Sequence, residues 1–206
     1  MLYEYLAENY APNEPIFPQD IDLNISQTNL RQKFKILCDS GKVRRYDTGI
    51  YYLPKQSRLN DTVPFTPERI ADCKYVNRKG EIIGYYSGFT FANQIGLTTQ
   101  VPAVIEITSN NASAAVREIN LCGRQIVLRC SRVIVTGENA ATLQLLDFMK
   151  DITRYTDADP GDIRGRIAAY AEKMSITRSK VVQYIGDYPD RTYRNLILTG
   201  IYDVLT

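Results

Sequence analysis

Histidine is absent from the 206 residues, and cysteine occurs only four times. Without histidine the commonest general base is missing, together with Ser-His-Asp and Cys-His systems and every His-ligated metal centre. Catalysis is therefore the less favoured class, and no catalytic residue is assigned. Cys38, Cys73, Cys122 and Cys130 contain no CxxC pair. A structural zinc site would need distant thiolates, so buried free thiols are expected, with no metal and no cofactor. No apolar run approaches the roughly 20 residues that span a bilayer. The N-terminus also lacks a cationic segment followed by an apolar one, so a cytoplasmic protein without a membrane partner is expected. The phosphate-cradling pattern GxxxxGK[ST] and the dinucleotide pattern GxGxxG are missing as well.

What is present is a foldable chain, 44% hydrophobic and 23% charged, with room for one large or two modest domains. Its net charge of +2 is small, but the charge is unevenly placed. Residues 1–25 hold Glu4, Glu8, Glu14, Asp20 and Asp22 and no base, a net −5. From Ser26 to Arg58, Arg31, Lys33, Lys35, Lys42, Arg44, Arg45, Lys55 and Arg58 face only Asp39 and Asp47, a net +6. Such segregation makes a polar molecule whose positive side can be steered onto a polyanion.

The basic stretch has a definite local pattern. Ser26 can cap a helix whose Leu30, Phe34, Leu37 and Cys38 fall on one stripe at i, i+4, i+7 and i+8. Thr28, Asn29, Arg31, Gln32 and Lys35 then point the other way, as side chains that read base edges and hold phosphates do. Gly41 is placed to close the helix. Lys42 to Tyr46 and Ile50 to Leu53 read as a hairpin around Asp47-Thr48-Gly49, with Pro54 ending it. Val43, Ile50 and Tyr52 are expected to pack on the helix while Lys42, Arg44 and Arg45 stay in water. A polar outer face alone is ordinary for an amphipathic helix. The charge segregation is what favours DNA.

Around this stretch, Leu2, Leu6 and Tyr10 predict a first helix ending before Pro12, Ile16-Phe17 a brief strand, and Pro18 to Ile21 a short second helix. Helix, strand, helix, helix, hairpin is the order of a winged helix-turn-helix. Gln56 to Pro67 reads as a linker, with a domain boundary near residue 60. Beyond it, Pro67 to Cys73 is expected to start a helix and Tyr75 to Arg78 to be a strand. Ser87 or Gly88 should begin a helix with Phe91, Ala92 and Ile95 inward and Gly96 at its end. Strands follow at Val104 to Ile107, Val116 to Leu121 and Gln125 to Cys130. Ala141, Leu145, Phe148 and Ile152 mark one further helix. Another has Asp159 as cap, Pro160 first, and Ile163, Ile167, Tyr170, Ala171 and Met174 inward. Shorter helices are read at Arg178 to Ile185 and Arg191 to Leu198. Arg178, Lys180, Arg191 and Arg194 form a second basic face, for which solvation is the commoner explanation than nucleic-acid or protein contact. The fold class is α+β: a winged helix-turn-helix over 1–58, a small α+β domain over 66–136 and a helical region over 137–206.

The segments LRQKFKILCDSGKVRRYDTGIYYLP and YYSGFTFANQIGLTTQVPAVIEIT, after an N-terminal helix, resemble the antitoxin component of AbiE-type abortive-infection toxin–antitoxin systems. The similarity covers roughly residues 1 to 136. It implies an N-terminal winged helix that binds inverted repeats in its own promoter, and a following domain that counteracts a nucleotidyltransferase-like toxin. Such systems are of type IV, without a tight antitoxin–toxin complex. Carried over by position, the implied DNA contacts are Thr28, Arg31, Gln32 and Lys35 on the helix and Arg44 and Arg45 on the wing. The leading expectation is thus an autorepressing transcriptional regulator acting on double-stranded DNA. The alternatives are a DNA-targeted metal-dependent nuclease using Glu106, whose strand lacks the accompanying lysine, and a protein-interaction module whose hairpin docks an acidic partner.

Overall fold

The computed structural model describes residues 1–55, 65–156 and 158–205. Among them ten α-helices and three small sheets make a mixed α+β chain with a helical C-terminal region. The chain divides into two compact units, Met1–Ile70 and Ala71–Thr206. Most of the expected linker, including residue 60, lies outside the described residues.

In the first unit, helix α1 (Leu2–Asn9) buries Leu2 and Leu6, and the chain leaves it before Pro12. The expected strand at Ile16-Phe17 is a single bridge. Ile16 N donates to Tyr51 O at 2.7 Å, and Tyr51 N donates to Ile16 O at 3.0 Å. The expected second helix is only one 3₁₀ turn, Pro18–Asp20, because the backbone turns extended at Ile21 (φ −86°, ψ 113°). Helix α2 (Gln27–Asp39) starts as expected: Asn29 N donates to Ser26 Oγ at 3.3 Å, satisfying one of the open amides of the first turn. Past its end, Gly41 takes φ +71°, the left-handed value that glycine adopts without steric cost.

Strands β1 (Arg44–Asp47) and β2 (Ile50–Tyr52) then pair antiparallel, Arg44 opposite Tyr52 and Arg45 opposite Tyr51. Both faces of this ribbon are packed. Val43, Tyr51 and Leu53 join the cluster of Leu2, Leu6, Ile16, Leu30 and Phe34. On the other face, Phe65 lies against Tyr46 and Tyr52, with ring centroids 4.8 and 5.6 Å away. Val43 thus packs on the helical side as expected. Ile50 and Tyr52 do not, because alternation along β2 gives that side to Tyr51.

The second unit opens at the end of α3 (Pro67–Ala71), which runs into a π-helical turn, Asp72–Val76. Tyr75 is buried in that turn, so only the end of the expected strand is extended, as β3 (Asn77–Arg78) paired with β4 (Glu81–Ile82). The main sheet has the order β5-β6-β8-β7, from β5 (Gly84–Tyr86), β6 (Ile105–Ser109), β7 (Val116–Leu121) and β8 (Arg124–Cys130). Its central pair, β6 and β8, is parallel and its outer pairs are antiparallel. Between β5 and β6, α4 (Gly88–Gln94) buries Phe91 and Ala92, while Ile95 is only half-buried.

Helices α5 (Ala140–Lys150), α6 (Ile152–Tyr155), α7 (Pro160–Lys173), α8 (Arg178–Ile185), α9 (Asp190–Leu198) and α10 (Ile201–Val204) complete the unit. One core joins Tyr85, Phe91 and Ala92 to Leu143, Leu146, Phe148, Ile167, Val181, Leu196 and Ile201. It runs through the expected division at residues 136 and 137. The helix expected through Ile152 breaks at Asp151 (φ −131°, ψ 32°), whose carboxylate lies 2.9 Å from Arg191 Nη2 and 3.8 Å from Lys150 Nζ. Met174, expected inside, is 44% exposed because α7 ends before it. Helix α10 lies past the last helix that the hydrophobic spacing predicts. The cysteines are free thiols but not buried ones: Cys38, Cys73 and Cys122 are half-buried and Cys130 is exposed. Among the described residues, no helix is long and apolar enough to cross a membrane.

Candidate nucleic-acid interface

The side of α2 away from Leu30 and Phe34 carries Thr28, Asn29, Arg31, Gln32 and Lys35, all exposed. Arg31 and Lys35 are one helical turn apart and line a groove of about 690 Å³ between α2 and the hairpin tip. Pro18, Gln19, Gln27, Cys38, Asp39, Arg45, Thr48, Gly49 and Tyr51 complete its wall. Among the described residues neither Arg31 nor Lys35 meets a carboxylate in an ion pair. Asp39 is the acid of this groove. It also helps hold the half-buried Cys38 thiol above its usual pKa, after burial and against the opposing pull of Arg45.

Arg45 enters the groove from the hairpin. Its Nε donates to Asp47 O at 3.2 Å and its Nη2 to Thr48 Oγ1 at 3.1 Å, which tethers the guanidinium to the turn. The turn is itself held by Thr48 N donating to Asp47 Oδ1 at 2.6 Å and by Gly49 at φ +72°. Arg44 stands on the other ribbon face, opposite Tyr52. Lys42 lies elsewhere: its ammonium sits 5.1 Å from the centre of the Tyr3 ring, beside Tyr10, Gly41, Leu53 and Pro54. The structure therefore brings Arg31, Lys35 and Arg45 together, leaves Thr28, Asn29 and Gln32 on the outward arc of α2, and sets Arg44 and Lys42 apart. Ile36, 65% exposed on that same arc, has neither the hydrogen-bonding group nor the charge that marks its neighbours in the sequence.

The second basic face is largely used inside the fold. Arg178 donates from Nε to Tyr202 O at 3.2 Å and from Nη2 to Asp203 O at 3.0 Å. Lys180 Nζ donates to Ser175 O at 2.9 Å, and Arg191 pairs with Asp151, while Arg194 is exposed. The four do not make one open cationic surface.

Glu106 is committed to α4. Phe89 N donates to its Oε1 at 3.0 Å, Glu106 N donates to Thr90 Oγ1 at 2.9 Å, and Ser87 N donates to Glu106 O at 2.9 Å. Arg129 Nη1 lies 2.9 Å from Oε2, close enough to pair as an ion but without hydrogen-bond alignment. The Ser87-Gly88-Phe89-Thr90 segment is thus a clamp that seats a helix start on a strand carboxylate. Among the described residues no three His, Cys, Asp or Glu side chains gather in a metal-holding group.

Fold and site together describe a mixed α+β protein that presents an exposed cationic groove on its first unit and a helical C-terminal region on its second. A family model described as a family of unknown function, DUF6088, matches residues 14–156, more than two-thirds of the chain. The chain belongs to this family. The matched span holds the α2 groove and the Glu106 clamp, while α7 to α10 lie beyond it. No curated protein matches the chain.

Proposed function

We propose that the first unit holds the winged helix-turn-helix expected over residues 1–58 and binds double-stranded DNA, with α2 in the major groove and the β1–β2 hairpin as the wing. The observation that carries this reading is the pair Arg31 and Lys35, exposed, without a carboxylate partner among the described residues, and sharing one groove with Arg45. The order of helix, bridge, 3₁₀ turn, helix and hairpin supports it. Phosphate contacts by the three cations supply affinity, and Thr28, Asn29 and Gln32 supply contacts to base edges. In the test, the full chain is mixed with random-sequence duplex and with the duplex upstream of its own reading frame. Retention of both at low salt, and only of the upstream duplex at physiological salt, is expected. No retention at any salt removes the proposal.

The resemblance to AbiE-type antitoxins extends this reading to a biological role. The chain represses its own operon by occupying an inverted repeat in the promoter, and counteracts a nucleotidyltransferase-like toxin without a tight complex. Two copies on the repeat would place half-sites a whole number of helical turns apart, about 34–36 Å per turn. Expression of an adjacent nucleotidyltransferase-like reading frame should arrest growth, and co-expression of this chain should relieve the arrest. Continued arrest contradicts the antitoxin role and leaves the DNA-binding proposal standing.

A further inference from the structure

Helix α2 turns two different chemistries outward. At about 100° per residue, Arg31, Lys35 and Asp39 lie on the flank that borders the hairpin groove, whereas Thr28, Gln32 and Ile36 follow one another at i, i+4 and i+8 with Asn29 beside them. The first flank is charged. The row of Thr28, Gln32 and Ile36 with Asn29 is uncharged, a hydroxyl, two amides and a branched hydrocarbon, all exposed, and the half-buried Lys33 borders it beyond Asn29.

Ile36 takes no part in the core of this unit. The core of this unit takes Leu30 and Phe34 from α2, with Leu37 and Cys38 packed partly against it, and Ile36 is 65% exposed on the opposite side. A β-branched side chain also adds nothing to helix stability at an exposed site, where straight-chain residues are better. In the major groove the uncharged side chains have complementary targets. Amides pair with the adenine N6 and N7 edge, hydroxyls bond to several bases, and the 5-methyl group of thymine is the apolar feature that a hydrocarbon side chain can cover.

We infer that Ile36 is a specificity-determining residue that covers a thymine 5-methyl group, one helical turn beyond Gln32. This rests on the DNA-binding reading of the first unit and adds the base that its helix recognises. Charge and specificity are then divided between the two flanks of one helix: Arg31 and Lys35 hold the backbone in any sequence, and Thr28, Gln32 and Ile36 choose among sequences.

The test is an in vitro selection from a random duplex pool with the full chain. The selected duplex is then resynthesised with each thymine replaced in turn by uracil, which removes the methyl group and leaves the pairing edge intact. At one thymine per half-site the replacement should weaken binding about fourfold, the size expected for one uncovered methyl group. Ile36→Ala should bind the thymine duplex about fourfold more weakly and be indifferent to uracil at that position. Ile36→Ala places a good helix former at an exposed site, and an unchanged thermal midpoint verifies its fold. Indifference of the unmodified chain to uracil everywhere overturns the inference, as does an Ile36→Ala variant with the same methyl sensitivity. In both cases the DNA-binding proposal stands. Failure to retain any duplex at low salt overturns both.

Discussion

The Phe34 ring on α2 stacks on the Tyr51 ring of β2, centroids 4.2 Å apart and planes 24° from parallel. Phe34 is 1% exposed, and the Tyr51 backbone is bonded to Ile16 in both directions. This contact fixes the hairpin against the helix and so sets the width of the groove between them.

Removing that ring should therefore loosen the first unit as a whole. Phe34→Ala is expected to cost about 3–5 kcal/mol, the usual loss for a buried phenyl ring replaced by a methyl. Denaturant titration followed by tyrosine fluorescence measures it. A midpoint equal to that of the unsubstituted chain would contradict this packing.

The two neighbouring arginines of β1 should behave differently. Arg45 shares the groove with Arg31 and Lys35, whereas Arg44 is turned to the face covered by Phe65. Arg45→Ala should weaken duplex binding by several-fold more than Arg44→Ala, with anisotropy on a labelled duplex as the readout. The reverse order would place the DNA on the other side of the ribbon.

In the second unit, Gly88 has φ +54°, and a methyl group built on it would occupy the space of the Glu106 carboxylate. Gly123 has φ +84° but open space around it. Backbone strain alone costs about 1–2 kcal/mol at such a position. Gly88→Ala should exceed Gly123→Ala, because it also expels Glu106 from the amide of Phe89. Equal losses in thermal melts would show that the clamp contributes nothing.

Alkaline pH should destabilise the second unit. Tyr155 is pushed from 10.0 up to about 12, chiefly by burial and next by the nearby Glu106 carboxylate. Burial also pushes Tyr85, Tyr170 and Tyr188 upward. Folding favours the protonated phenol. Its contribution is thus whole below the unfolded value near 10.0 and is lost as pH rises through the folded value of about 12. The denaturant midpoint should fall between pH about 9 and about 11, and fall less in Tyr155→Phe. A flat profile would mean that these phenols ionise freely in the folded state.

Local pattern in the sequence was a sufficient guide where local chemistry decides structure. Ser26, the stripe of Leu30 and Phe34, Gly41 and the Asp47-Thr48-Gly49 turn each act within a few residues, and together they define α2 and its hairpin. It failed where a distant segment intervenes. Phe65 covers the second face of the ribbon, so the usual contrast between a dry and a wet side vanishes, and the sides of Tyr51 and Tyr52 were exchanged. The same exchange decides which arginine reaches the groove. At the C-terminal end, hydrophobic spacing predicted one helix through Ile152, but Asp151, held beside Arg191 and Lys150, interrupts it. The seating of α4 on Glu106 depends on a strand and a helix start brought together across 17 residues, which no local spacing shows.

If Arg31 and Lys35 lie against a nucleic-acid backbone, duplex binding must depend on salt through the phosphates that they neutralise. For the full chain, log affinity against log salt concentration should fall linearly. Arg31→Ala and Lys35→Ala should each flatten the slope by about one unit while leaving the thermal midpoint in place. Slopes identical in all three proteins would rule that contact out, because cations that displace no counterions are not touching phosphate.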